Sequence, residues 1–276
     1  MNPIKLGYSP CPNDTYIFYA LVHDKLNNSP IVCETLADIE TLNKMAVSKE
    51  LDVTKISFHA FAYLRNDYCL LHAGGALGRG CGPLLIAKHQ RDVDTMHDFR
   101  VAIPGEMTTA TLLLRLYNPS VKDLVVLPFN KIVEAVDRGE VDAGLIIHES
   151  RFTYQQYGLK SIIDLGEWWE NTTGHPIPLG GILIRRDFGS ERIREFDAAL
   201  RASVEFAHSN SHLVRDYVSL HAQEMDDSVM KAHIDLYVNE FTIDYGSEGE
   251  AAIKDLLIRA ENAHLIPASN SSIFLS

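Results

Sequence analysis

The sequence predicts an α/β protein of two lobes around a cleft. Three observations carry this expectation. Short apolar stretches of strand type alternate with amphipathic stretches at helical spacing over the first two thirds of the chain, a pattern that favours mainly parallel strands covered by helices. Two apolar strands bounded by glycine-rich stretches, "GPLLIAK" (82–88) and "GGILIRR" (180–186), flank a middle block with its own strand–helix alternation. The chain has 276 residues, 46% of them hydrophobic, which supplies core for one large unit or two smaller ones. If the two flanking strands carry the chain out and back, one domain comprises residues 1–87 and 183–276 and the other residues 88–182. The carboxyl ends of both sets of strands then face a cleft between lobes joined by the two crossing strands.

The elements follow in order. "IKLGYS" (4–9) is a strand that runs into "PCPND" and then a helix from Thr15 to Leu26, with Asn13 or Asp14 as its cap. "IVCETLA" (31–37) is a strand. Residues 39–50 have helical spacing, with Leu42, Met45 and Ala46 on one face. Val53 to Ser57 is a strand that turns into a short helix, and "GPLLIAK" is a strand followed by the polar stretch 89–98. In the middle block, "RVAIP" is a strand, "GEMT" a turn and "TATLLLRLY" (109–117) a helix. "DLVVLPF" is a strand, "NKIVEAVDRGE" a helix and "VDAGLIIH" (141–148) a strand. From Ser190 onward the pattern is helical, in segments beginning near 191, 211, 227 and 246.

Charge narrows the function. A formal net charge of −12 argues against a nucleic-acid groove, which needs a basic stripe, and against an anionic membrane surface. No apolar run approaches the roughly 20 residues of a membrane span. The N-terminal residues lack a basic region followed by an apolar run, so no secretory signal is expected. Cys11, Cys33, Cys69 and Cys81 are scattered without metal-type spacing, which fits reduced thiols and a cytoplasmic location.

Several residues stand where chemistry is expected. His148 ends the apolar strand of "GLIIHESRFTY", and ligand crevices lie outside strand carboxyl ends. An imidazole there can exchange a proton near neutral pH. The plainer alternative is a strand-end histidine bonded to a backbone carbonyl. Arg151 either binds a carboxylate or pairs with Glu149. In "IPGEMTTATLLL" a strand, a Gly105 turn and the Thr108–Thr109 pair open a helix, whose N–H groups attract an anion; one threonine serves as the cap and one is left over. Lys55 and Ser57 share a face at a strand end by the two-residue period, and Lys55 can neutralise an anionic ligand. The glycine-rich "LHAGGALGRGCGP" either admits a ligand closely or is a flexible connection. His208 and His212 straddle a turn, so a metal pair is discounted. Trp168 and Trp169 are read as packing.

Six stretches taken in order, "LGYSPCPNDTYIFYAL", "TKISFHAFA", "GGALGRGCGPLL", "GEMTTATLLL", "GEVDAGLIIHESRFTY" and "LGGILIRRD", together resemble the 1,4-dihydroxy-6-naphthoate synthases of the futalosine route to menaquinone. The resemblance implies a type II periplasmic-binding-protein-like fold and a cytoplasmic lyase. It implies carbon–carbon cleavage of cyclic dehypoxanthinyl futalosine to the dihydroxynaphthoate and dihydroxyacetone, without metal or organic cofactor. It makes His148 the general base. It puts substrate contacts on Lys55, Ile56 and Ser57 and on Thr108, Thr109 and Ala110. Ser9 and Asn13 supply polar groups to the cleft wall, with Arg151 as a further candidate for the substrate carboxylate. A chorismate dehydratase of the same pathway and a non-catalytic solute-binding protein are the rival readings. The partner expected is a small-molecule carboxylate, with no nucleic acid and no membrane; the oligomeric state, a homodimer included, is left open.

Overall fold

The structure is a computed structural model. It describes residues 3–27, 29–89, 93–222 and 226–275. The first half of the chain forms β1 (Ile4–Tyr8), α1 (Pro12–Val22), β2 (Val32–Leu36), α2 (Ile39–Val47), β3 (Val53–Ser57), α3 (Phe58–Phe61), β4 (Tyr68–Leu70), β5 (Ala76–Gly78) and β6 (Leu84–Ala87). The middle forms β7 (Arg100–Ile103), α4 (Thr109–Tyr117), β8 (Asp123–Val126), α5 (Ile132–Asp137), β9 (Ala143–Ile146), α6 (Ser150–Thr153), β10 (Lys160–Asp164) and α7 (Leu165–Thr173). Then come β11 (Ile177–Arg185), α8 (Ser190–Ser209), α9 (Ser211–His221), α10 (Asp227–Tyr237), α11 (Glu240–Ile243) and α12 (Gly246–Asn262).

The strands make two sheets, one per lobe. The first has the order β2-β1-β3-β11-β4, with β5 paired to β11; the second has the order β10-β6-β9-β7-β8. Each sheet has a parallel half, β2-β1-β3 in one and β9-β7-β8 in the other. The pairings of β6 and β11 are all antiparallel. The sheets are therefore mixed where alternation predicted mainly parallel strands, because the strand entering each lobe from the other runs against its neighbours.

The two flanking strands do not themselves cross. Leu84–Ala87, placed by the sequence division with residues 1–87, is hydrogen-bonded within the second sheet, and all of Ile177–Arg185 lies in the first. The chain crosses instead just before β6 and again between β10 and β11. There the Leu165 N–H donates to the Pro83 carbonyl at 3.0 Å. A Cβ on Gly82 would lie 2.2 Å from the backbone nitrogen of Gly166, a distance only glycine tolerates.

Local chemistry explains the elements that frame the cleft. Pro12 occupies the first helical position of α1, where its fixed φ is suited and its missing N–H is not needed. The helix thus begins at Pro12 with Cys11 at the cap position, earlier than Thr15, and neither Asn13 nor Asp14 caps it. α4 starts as expected: the Thr108 side chain accepts from the Thr111 N–H, and Leu112, Leu113 and Leu114 are buried. β3 is buried at every position. Phe18 and Phe196 join the apolar cluster over one face of the first sheet. Trp169 is fully buried with its indole N–H on the Pro176 carbonyl, and the Trp168 ring meets Tyr117 edge-on; both tryptophans are packing.

Candidate functional site

A cavity opens between the lobes, in the place where ligands of two-lobed α/β proteins are expected. It lies where β1, β3, β7 and β9 end. Ser9, Asn13, Lys55, Ile56, Ser57, Thr108, Thr109, Ala110 and His148 all line it. Nine of the ten residues singled out from the sequence are thus brought together across more than a hundred residues of chain.

The "SPCPND" stretch builds one wall around Asp14. Its Oδ2 accepts from the Ser9 N–H (3.2 Å) and Ser9 hydroxyl (2.7 Å), and its Oδ1 from the Asn13 amide (2.8 Å) and Lys55 Nζ (2.8 Å). The Asp14–Lys55 pair is almost wholly enclosed, with side chains 2% and 7% exposed. Two charges leave water only when each is matched and hydrogen-bonded, and here the carboxylate has four donors. The pair fixes the end of β3 to the start of α1, so that Lys55 lines the cavity with its charge already compensated. Ser57, two residues on, faces the same cavity, and its hydroxyl accepts from the Asn43 amide at 3.2 Å.

His148 follows β9 with φ of +56°, the left-handed region that an ordinary side chain avoids. Its ring meets Phe129 edge-on at 5.2 Å and lies nearly parallel to the His233 ring at 6.2 Å. Neither ring nitrogen makes a hydrogen bond among the described residues, so the ring is not the carbonyl-bonded strand end of the plainer alternative. The residue is half-buried and lines the cleft. Burial therefore dominates its acidity and lowers its pKa to about 4; Asp14 opposes that shift and Lys55 adds to it. The imidazole is neutral at physiological pH, with an uncommitted nitrogen available to a ligand.

Cys11 has a histidine neighbour in space that it lacks in sequence. Donor atoms of Cys11, His148 and Glu149 lie within 4.8 Å of one another, a set able to hold a soft divalent metal. Burial, and then the Glu149 charge, raises the thiol pKa well above its ordinary value, so Cys11 is a thiol rather than a thiolate.

The threonine pair divides its work differently from the expectation that one hydroxyl is spare. Thr108 caps α4. The Thr109 hydroxyl accepts from the Phe58 N–H at 2.9 Å and donates to the Leu179 carbonyl; it joins α4 of one lobe to α3 and β11 of the other. The uncommitted donors of these cavity-lining residues are backbone ones. The N–H groups of Thr109 and Ala110 meet no acceptor among the described residues, and such a helix start suits an anion.

Arg151 is the candidate the structure sets apart. It does not line the cavity, and its guanidinium is not paired with Glu149. It donates to Asp164, 2.6 Å away, and to the Gly82 carbonyl. Asp164 also caps α7, so Arg151 braces the crossing point.

The far wall was not foreseen. His233 and Tyr237 line it from α10, and Leu179 and Gly180 from β11. His233 is fully buried and its Nε2 lies 2.9 Å from Asn13 Oδ1. The one signal in the sequence was the position of His233 on the same helical stripe as Met230 and Tyr237, all three buried.

Comparison with known proteins agrees with this arrangement. The family model for menaquinone biosynthesis matches residues 4–262. The chain is 49% identical to the 1,4-dihydroxy-6-naphthoate synthase of Streptomyces coelicolor, covering 96% of this chain and 95% of that one. It is 48% identical to the synthase of Thermus thermophilus over the full length of both. A solved structure from Archaeoglobus fulgidus superposes with a TM-score of 0.89 at 39% identity, covering 96% of this chain and 98% of that one. The periplasmic aliphatic sulphonate-binding protein of Escherichia coli superposes with a TM-score of 0.66 at 13% identity, covering 99% and 91%, and shares the two-lobed fold alone. With a family model spanning nearly all of its length and two full-length relatives near half identity, the chain belongs to the menaquinone biosynthesis family.

Proposed function

We infer that the protein is a lyase that forms 1,4-dihydroxy-6-naphthoate, the product named in its full-length relatives, by cleaving cyclic dehypoxanthinyl futalosine with release of dihydroxyacetone. The observation that carries the mechanism is His148: a neutral imidazole at the mouth of a strand, in the cleft, with no hydrogen bond of its own. Its free ring nitrogen takes the proton from a substrate hydroxyl. The oxygen's electron pair then forms the carbonyl as the adjacent carbon–carbon bond breaks in a retro-aldol sense. Formation of the aromatic ring draws the reaction forward, so the protein supplies a base, orientation and a dry cleft. The substrate carboxylate sits at the Thr109 and Ala110 N–H groups. The site needs no metal or organic cofactor for these steps, and the reading carries with it a cytoplasmic location.

Incubation of the purified protein with the cyclic futalosine derivative, followed by mass analysis, tests the activity directly. His148→Asn tests the base. Asparagine tolerates a positive φ and cannot take the proton, so kcat falls by about 10²–10⁴-fold while KM moves little. A folded His148→Asn protein that turns over at the wild-type rate would remove His148 from the chemistry.

A further inference from the structure

We propose that His233 is a second ligand-binding imidazole of this cleft, whose bare Nδ1 accepts a hydrogen bond from a hydroxyl of the bound molecule. The argument starts at Asp14. A carboxylate held by Lys55 and Ser9 only accepts hydrogen bonds, so the Asn13 group 2.8 Å from it is the amide nitrogen. That fixes the Asn13 side chain with its oxygen toward His233. An amide oxygen only accepts, so His233 Nε2, 2.9 Å away, carries the proton and donates it. Burial holds the ring neutral. The second nitrogen, Nδ1, is therefore an unprotonated acceptor, and it meets no hydrogen-bond partner although it is fully buried.

A buried acceptor without a partner is uncommon and costly. This one belongs to a ring that lines the cavity and lies nearly parallel to His148, 6.2 Å between ring centres. Two neutral imidazoles spaced across a cleft suit a polyhydroxylated ligand with one hydroxyl at each ring. The inference rests on the reading that this cleft holds the substrate, and it assigns His233 to a hydroxyl other than the one that His148 deprotonates.

Two substitutions separate the nitrogens. His233→Gln keeps an amide near the Nε2 position, facing Asn13, and leaves nothing at Nδ1. His233→Asn places a carbonyl oxygen near Nδ1 and gives up the reach to Asn13. If Nδ1 binds the ligand, His233→Gln lowers kcat/KM about 10–100-fold, the usual effect of losing one buried hydrogen bond, and His233→Asn retains more activity than His233→Gln. If His233 only props Asn13, the order reverses: a Gln variant near wild-type rate with an impaired Asn variant would overturn the proposal. Nitrogen-15 spectra of the unliganded protein supply a readout independent of turnover: a proton found on Nδ1 would also overturn it. Wild-type protein that fails to cleave the cyclic futalosine derivative would overturn the functional reading, whereas normal wild-type turnover with an unaffected Gln variant would overturn this inference alone.

Discussion

The acidity of His148 gives the sharpest test of the mechanism. A histidine of ordinary pKa, near 6.5, would make a general base whose rate falls as pH drops through the middle of the sixth unit. The structure moves that fall. Burial lowers the His148 pKa to about 4, so the base form persists well into acid. At pH 5.5 an ordinary histidine is only about one tenth neutral, whereas one titrating near 4 is almost wholly neutral. The rate per substrate at low concentration, kcat/KM, reports the free enzyme and should be flat from pH 8 to about pH 5. Lys55 contributes to the lowered value, so Lys55→Met should move the fall toward higher pH. The assay is a kcat/KM profile from pH 4.5 to 8, with circular dichroism at each pH to exclude unfolding. A wild-type profile that drops by half between pH 6 and 7 with the fold intact would refute the assignment of this buried ring as the base.

Three further outcomes follow from the same geometry. His59 and His148 both titrate near 4 in the folded protein because of burial, so the unfolded chain binds more protons between about pH 4 and 6.5 and stability falls as pH is lowered through that window; urea midpoints at pH 7.5 and 5 should differ by an amount equivalent to about 2 kcal/mol per histidine, and equal midpoints would contradict it. Thr109→Val leaves the Phe58 N–H and Leu179 carbonyl without their shared partner, at a cost of about 1–3 kcal/mol, so the melting temperature of the unliganded protein should drop by several degrees; an unchanged melting temperature with weaker product binding would return the hydroxyl to the ligand. Cys11→Ser should keep most turnover, since the thiol is buried and its pKa raised; loss of activity together with fast alkylation of native Cys11 would instead make it a nucleophile.

Much of this architecture was legible because certain residues announce themselves locally. "TKISFHAFA" shows a strand turning into a short helix, and Val53–Ser57 followed by Phe58–Phe61 is what forms. Thr108 and the leucines after it mark the start of α4 to the residue. His148 stands just past the apolar strand β9. The failures have physical reasons. β4 and β5 have three residues each, too few to display a two-residue period. Asp14 looked like a helix cap because polar residues before an apolar run usually are, but Pro12 had already begun the helix and released the carboxylate to meet Lys55, 41 residues away. Arg151 sits beside the base in sequence, yet its helix turns it toward Asp164. Asn13 and His233 are 220 residues apart, and no local pattern links them.

The glycine contact at the crossing point bears on how this chain can be recombined. Gly82 and Gly166 occupy each other's side-chain space, so neither position can gain a side chain by itself while the two connections stay in register. A hybrid that takes its middle lobe from one homologue and its outer lobe from another inherits both crossings as a matched set. Splices made outside residues 82 and 166 transfer that set intact, whereas a splice between them marries two crossings that were never fitted to each other. The seam along which such hybrids can exchange whole lobes is thus set by a pair of residues that have no side chain and touch no ligand.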